Sequence, residues 1–148
     1  MNTSIEFRPY RPADKADCLA IFDANCPAYF APNERDDYEE FLGDCGERYE
    51  ICLCSGKIGG AFGLFFGPGN KASLNWILLN PSLQGRGIGR SVMKRIQAQA
   101  SGGGAQLILI AASHKSAPFF ARFGAREIDT TRDGWGPGMH RVDMELVP

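Results

Sequence analysis

Neither sign of charge prevails in this chain of 148 residues: sixteen Lys and Arg face seventeen Asp and Glu, for a formal net charge of −1. Such a chain has no overall field to gather nucleic acid or an anionic membrane, so any anion it binds must be held locally. Long hydrophobic runs are missing too, the longest being too short to cross a bilayer. No charged and apolar leader ending in small residues opens the sequence, and its five cysteines are odd in number. Both features lead one to expect a protein of the reducing cytoplasm rather than a disulfide scaffold. Cys52 and Cys54 stand two apart in a strand-like run and share a face; with no third and fourth ligand nearby they read as core thiols, and no metal is expected. Two phosphate-binding signatures are absent as well. Arg90 stands where G-x-G-x-x-G would need a third glycine after Gly87, and no G-x-x-x-x-G-K-[ST] occurs.

What is present suits one domain over 1–148, since single cores commonly hold about 100–200 residues. "SIEFRPYR" (4–11) reads as a strand, an edge one because of Pro9. A helix is predicted from Asp14, with Asp17 as its capping partner and Leu19, Phe22 and Cys26 on one face. Pro27 and Pro32 interrupt helix and make 26–33 a connection. A second helix follows from about Asn33, with the stripe Tyr38, Phe41, Leu42 and Cys45 and an acidic remainder. Three strands joined by short turns, 48–55, 58–66 and 72–80, form an antiparallel meander. Val92, Met93, Ile96 and Ala100 mark a helix from Ile88 that stops at the glycines of 101–105. The unbroken apolar run 106–112 suits a central strand covered on both faces. A short helix over 116–123 and a hairpin, 125–131 and 139–147 around a loop at 132–138, complete the order β-α-α-β-β-β-α-β-α-β-β, a mixed-sheet α/β fold.

Gly85, Gly87 and Gly89 alternate with Arg86 and Arg90 where the third meander strand gives way to the helix at Ile88. The first amides of a helix lack internal partners, and the aligned dipoles place about half a positive charge there. Glycines let a ligand approach the main chain, and the arginines add charge-assisted donors. The turn is suited to a phosphate, above all a pyrophosphate; a tight connection with no ligand satisfies the same residues.

"QGRGIG" (84–89) matches the Q/R-x-x-G-x-G/A signature of the GNAT superfamily of acyl-CoA-dependent N-acyltransferases. "NP" (80–81) resembles the V-x-P entry to that signature, and "APFFARFGA" (117–125) resembles a later aromatic segment of the same family. The resemblance implies a GNAT-like fold and transfer of an acetyl group from acetyl-CoA to an amine of a small molecule or peptide. By similarity the main chain of Gln84, Gly85, Arg86, Gly87, Ile88 and Gly89, with Arg90, cradles the pyrophosphate of coenzyme A. Ile77, Leu78 and Leu79 then pair with the pantetheine arm, and Ser113 and Phe120 stand at cofactor positions. A homodimer is compatible with this assignment; a nucleic acid or membrane partner is not expected.

The sequence departs from the family where proton transfer is concerned. Asn75 stands where many members carry a carboxylate, Phe120 where many carry an acidic tyrosine, and Ser113 where asparagine is frequent. His114, just after the fifth strand, and Glu34, which shares the apolar stripe with Tyr38, are the replacement candidates for a base. His140 reads as structural. By resemblance the acceptor is bordered by Tyr29, Phe30, Glu34 and the hairpin's Trp135, while Asp36, Asp37, Glu39 and Glu40 suggest an acidic wall for a cationic amine. The alternatives are a non-catalytic acyl-CoA sensor, to which Asn75 and Phe120 are suited, and a nucleotide-binding regulator.

Overall fold

The computed structural model describes residues 4–83 and 85–148. Seven strands form one mixed sheet in the order β1-β2-β3-β4-β5-β7-β6. Strands β1 (Ile5–Pro9), β2 (Tyr49–Cys54), β3 (Lys57–Phe66) and β4 (Lys71–Leu79) pair antiparallel in succession. Pro9 lies on an edge strand, where its missing N–H costs no ladder bond. Strand β5 (Leu107–Ser113) lies parallel to β4, and β7 (Met139–Leu146) inserts between it and β6 (Arg126–Gly136).

Side chains that alternate along the strands feed two cores. Cys52, Cys54, Phe62 and Leu64 join Val92, Met93, Ile96 and Ala100 of helix α3 (Ile88–Gly102), the last four fully buried. The short helix α4 (Ala117–Ala121) adds Phe120 to that layer. Ile51, Leu53 and Ala61 face the other way, against helices α1 (Lys15–Ala24) and α2 (Glu34–Asp44). All five cysteines are free, and burial pushes the Cys52 thiol up to about 11, as befits a core thiol.

Three boundaries differ from the sequence expectation. A 3-10 turn at Pro12–Asp14 precedes α1, which starts at Lys15 and ends before Cys26. Its cap is not an Asp14–Asp17 pair: the Asp14 carboxylate accepts the Arg11 N–H at 2.9 Å and two guanidinium bonds from Arg8, both at 2.8 Å. Residues 132–136 are strand rather than loop, leaving only Pro137 and Gly138 to turn the hairpin. The β6–β7 ladder slips between Thr131 and Gly136, and side chains there supply the bonds that the ladder loses. The Asp133 N–H donates to His140 Nδ1 at 3.0 Å and the Gly138 N–H to Asp133 Oδ1 at 2.8 Å.

The Arg8 guanidinium holds the buried Asp14 carboxyl below its ordinary range. A lowered carboxyl pKa stabilises the fold above the unfolded value and loses that contribution as pH falls through the folded value. Asp14→Asn should therefore destabilise the protein by about 1–3 kcal/mol at pH 7. The difference from the parent should shrink when both are unfolded by urea below pH 3.8.

Candidate active site

The site begins with a defect in β4. Leu78 pairs with Ala61 and Asn75 with Gly63, so Trp76 and Ile77 together oppose one residue of β3. This bulge gives Trp76 a positive φ of 49° and bends the strand, and pairing of β4 with β5 stops at Leu74 and Ile110. Beyond that point the two strands diverge and leave main-chain groups without a neighbouring strand. Buried phenols hold the bulge: Tyr49 Oη donates to the Trp76 carbonyl at 2.6 Å and lies 2.9 Å from Tyr38 Oη. Burial drives both phenols well above their ordinary pKa, which keeps them neutral. Tyr49→Phe keeps the ring and removes the pin, leaving two buried oxygens short of a partner. It should lower the melting temperature through a loss of about 1–3 kcal/mol.

A cleft of about 600 Å³ occupies the gap. At one end lies the start of α3, capped by Gly87 at φ 75° with no acidic residue in its first turn and no side-chain cap. Gly85 has φ 82°, and a Cβ on either glycine would meet no atom within 4 Å. Their bareness thus serves backbone conformation and an open approach to the amides, a surface that fits a diphosphate. Gly89 is different, because a Cβ there would come within 3.0 Å of the Phe119 ring.

Of the cofactor residues expected from the sequence, Ile77, Leu78, Leu79, Gly85, Gly87, Ile88, Gly89, Ser113 and Phe120 all line the cleft. Gln84 lies outside the described residues. Arg86 and Arg90 are exposed beside the loop and do not line it, whereas Lys115 and Arg122, which the motif did not single out, do. Ser113 is tied to the start of α4, accepting the Ser116 N–H at 3.1 Å with the two hydroxyls 2.7 Å apart. Phe120 is a buried wall with no proton to give.

Tyr29, Phe30, Glu34 and Trp135 line the other end, together with Trp76 and Asn25. Asn25 escaped the sequence reading; its amide donates to the Ile21 carbonyl at 2.8 Å and to that of Leu79 at 2.9 Å, tying the end of α1 to the end of β4. Glu34, the first residue of α2, is 6% exposed, and one of its oxygens accepts the Ala31 N–H at 2.7 Å. Among the described residues no buried side-chain oxygen lacks a partner, and Glu34 is one of the residues that line the cleft. Burial pushes the Glu34 carboxyl up to about 7, against the opposing bond from Ala31. Desolvation here outweighs the helix dipole that favours the anion.

His114 does not line the cleft. Its Nδ1 accepts the His140 N–H at 3.1 Å and its ring lies 4.6 Å from that of His140, so it is engaged in the hairpin and not in the cleft. The acidic wall is corrected likewise. Asp36, Asp37 and Glu40 are exposed, Glu39 lies 3.9 Å from Lys15, and none of the four lines the cleft. Among the described residues no group of three or more potential metal ligands occurs, and no helix is long and apolar enough to cross a membrane.

Residues 18–125 match the model of the acetyltransferase (GNAT) family, and the chain belongs to that family. Among solved structures, a GNAT-family acetyltransferase from Staphylococcus aureus is similar at 17% identity and a TM-score of 0.78, over 97% of this chain and 99% of that one. The ribosomal-protein-S18-alanine N-acetyltransferase of Escherichia coli is similar at 18% and 0.77, over 97% and 94%. The ribosomal-protein-alanine N-acetyltransferase of Brucella melitensis is similar at 19% and 0.69, over 97% and 99%. At such identities the likeness is one of fold. Among curated proteins, none matches the sequence significantly.

Proposed function

We propose that this protein transfers the acetyl group of acetyl-CoA to a primary amine by direct attack in a ternary complex, with Glu34 as general base. One observation carries the reading. A carboxylate with a pKa raised to about 7 and the uncapped start of α3 open into the same cleft. The amides after Gly87 hold the diphosphate, with Lys115 and Arg122 as cations of the same cleft, and the free edge of β4 at Ile77 and Leu79 takes the pantetheine amides as an added strand. Bound acetyl-CoA supplies the thioester that the amine attacks.

An ammonium of pKa about 10.4 must lose its proton first, which at pH 7 costs about 4.6 kcal/mol. Glu34 accepts it, and Oε2 is already steadied by the Ala31 N–H, leaving the other oxygen to face the amine. The nitrogen–carbon bond forms as the carbon–sulfur bond breaks. The acylated nitrogen sheds its second proton through water to the departing thiolate, whose thiol has a pKa near 8.5, since Phe120 supplies no acid, and Glu34 returns its own proton to solvent. Holding both reactants in one cleft contributes about 7–11 kcal/mol.

The test combines two measurements. Titration calorimetry should show coenzyme A binding in preference to ATP or NAD, and dithionitrobenzoate should report amine-dependent thiol release from acetyl-CoA. Binding with no thiol release under any amine would leave a non-catalytic acyl-CoA binder, which Asn75 and Phe120 in the cleft would then explain.

A further inference from the structure

We infer that the acceptor end of the cleft is a closed aromatic ring that admits a single primary amine on a compact aromatic or apolar small body, with Asn33 as the clasp that closes it; this rests on the transferase reading above. The ring can be followed contact by contact from the point where β4 and β5 part, at Leu74 and Ile110. On the β4 arm Trp76 stacks on Phe30, with ring centroids 6.2 Å apart. From Phe30 the chain runs to residues 31–33, which meet the hairpin. There Asn33 Nδ2 donates to the Trp135 carbonyl at 2.8 Å, and Gly136 packs so closely that a Cβ on it would lie 2.9 Å from Ala31 Cβ and would collide with the Asn33 amide. Trp135 then returns to the sheet, its Nε1–H donating to the Ala112 carbonyl of β5 at 2.9 Å. Two elements from opposite ends of the chain thus meet across the mouth of the splayed strands.

Tyr29, Phe30, Trp76 and Trp135 line the cleft at this ring, with Glu34 as its one carboxylate. The lining cations, Lys115 and Arg122, come from the segment around α4. The guanidinium of Arg141 lies 5.2 Å from the Trp135 ring but does not line the cleft. The aromatic rings offer the second ammonium of a polyamine, or the hydroxyls of an aminoglycoside, less hydrogen bonding than water does. An apolar or aromatic body gains ring contacts instead. A lysine within a folded protein would have to bring its flanking backbone up to the ring formed by residues 31–33 and the hairpin. The preferred acceptor is thus an arylalkylamine or a similarly compact apolar amine.

Two readouts test this. Trp76 and Trp135 are the only tryptophans of the chain and both line the ring, so emission reports occupancy without turnover. With coenzyme A present, 2-phenylethylamine should change tryptophan emission saturably. In the thiol-release assay it should exceed spermidine, kanamycin and a lysine peptide with an acetylated N-terminus by at least about tenfold in kcat/KM, a difference of about 1.4 kcal/mol. Asn33→Ala, which removes one exposed bond outside the cleft lining, should narrow the margin over kanamycin about 2- to 10-fold, the factor that one net hydrogen bond is worth. Saturable emission without turnover by any amine would keep the ring and sink the transferase reading. No emission change with 2-phenylethylamine, or faster turnover of spermidine, kanamycin or the peptide, overturns the ring.

Discussion

Gly87→Glu should weaken binding of coenzyme A at least about a hundredfold while the chain stays folded. The position has φ 75°, so a side chain there costs about 1–2 kcal/mol of backbone strain, yet its Cβ would meet no atom within 4 Å. Part of that cost is offset, because a carboxylate at a helix N-terminus gains about 0.3–1 kcal/mol from the dipole. The same carboxylate occupies the amides meant for the diphosphate and repels it. Losing two charge-assisted bonds weakens binding by at least about a hundredfold. Calorimetry with coenzyme A measures this directly. Gly87→Ala, which carries the strain without the charge, should lose far less. Unchanged affinity in a folded Gly87→Glu protein would contradict the cradle.

Glu34→Gln separates catalysis from stability in opposite directions. Turnover should fall by about 10²–10⁴, the usual contribution of a positioned base, and the acid limb of kcat/KM near pH 7 should disappear. The folded carboxyl holds its proton to about pH 7, whereas the unfolded one releases it near 4.5. The parent therefore loses stability as pH rises from 4.5 to 7 and stays at the lower level above. Glutamine carries no charge to desolvate and still accepts the Ala31 N–H. At pH 8 the variant should be the more stable by on the order of 1–3 kcal/mol, seen as a melting temperature higher by a few degrees. A less stable variant at pH 8 would show that Glu34 is not desolvated as its burial implies.

These two residues differ in how openly the sequence displayed them. Gly87 announced itself, because a glycine turn before an amphipathic stripe is a local pattern, and the stripe of Val92, Met93, Ile96 and Ala100 is fully buried in the structure. Glu34 was legible in part, since its place four residues before Tyr38 set it on the apolar stripe of α2, apart from Asp36 and Asp37. What spacing could not show is how deeply it is buried and the bond it accepts from the Ala31 N–H in the 26–33 connection. His114 shows the converse: beside a strand end it resembled a base, but His140, 26 residues later, claims its Nδ1. The bulge at Trp76 was illegible for the same reason. Nothing in "LNWILL" calls for a tryptophan at φ 49°; the carbonyl is held by Tyr49, 27 residues earlier in the chain.

From sequence alone came the periodicities, the breaks and the bare turn, because each depends on neighbours within about one helical turn or one hairpin. These determine which elements form, which faces they bury and where a helix start presents unpaired amides. The tertiary structure decided the rest: the parting of β4 from β5, the burial that raises the Glu34 carboxyl and the meeting of Asn33 with Trp135. Strand divergence, desolvation and ring closure are each produced by groups distant in the chain, and their energies exist only once the layers have packed.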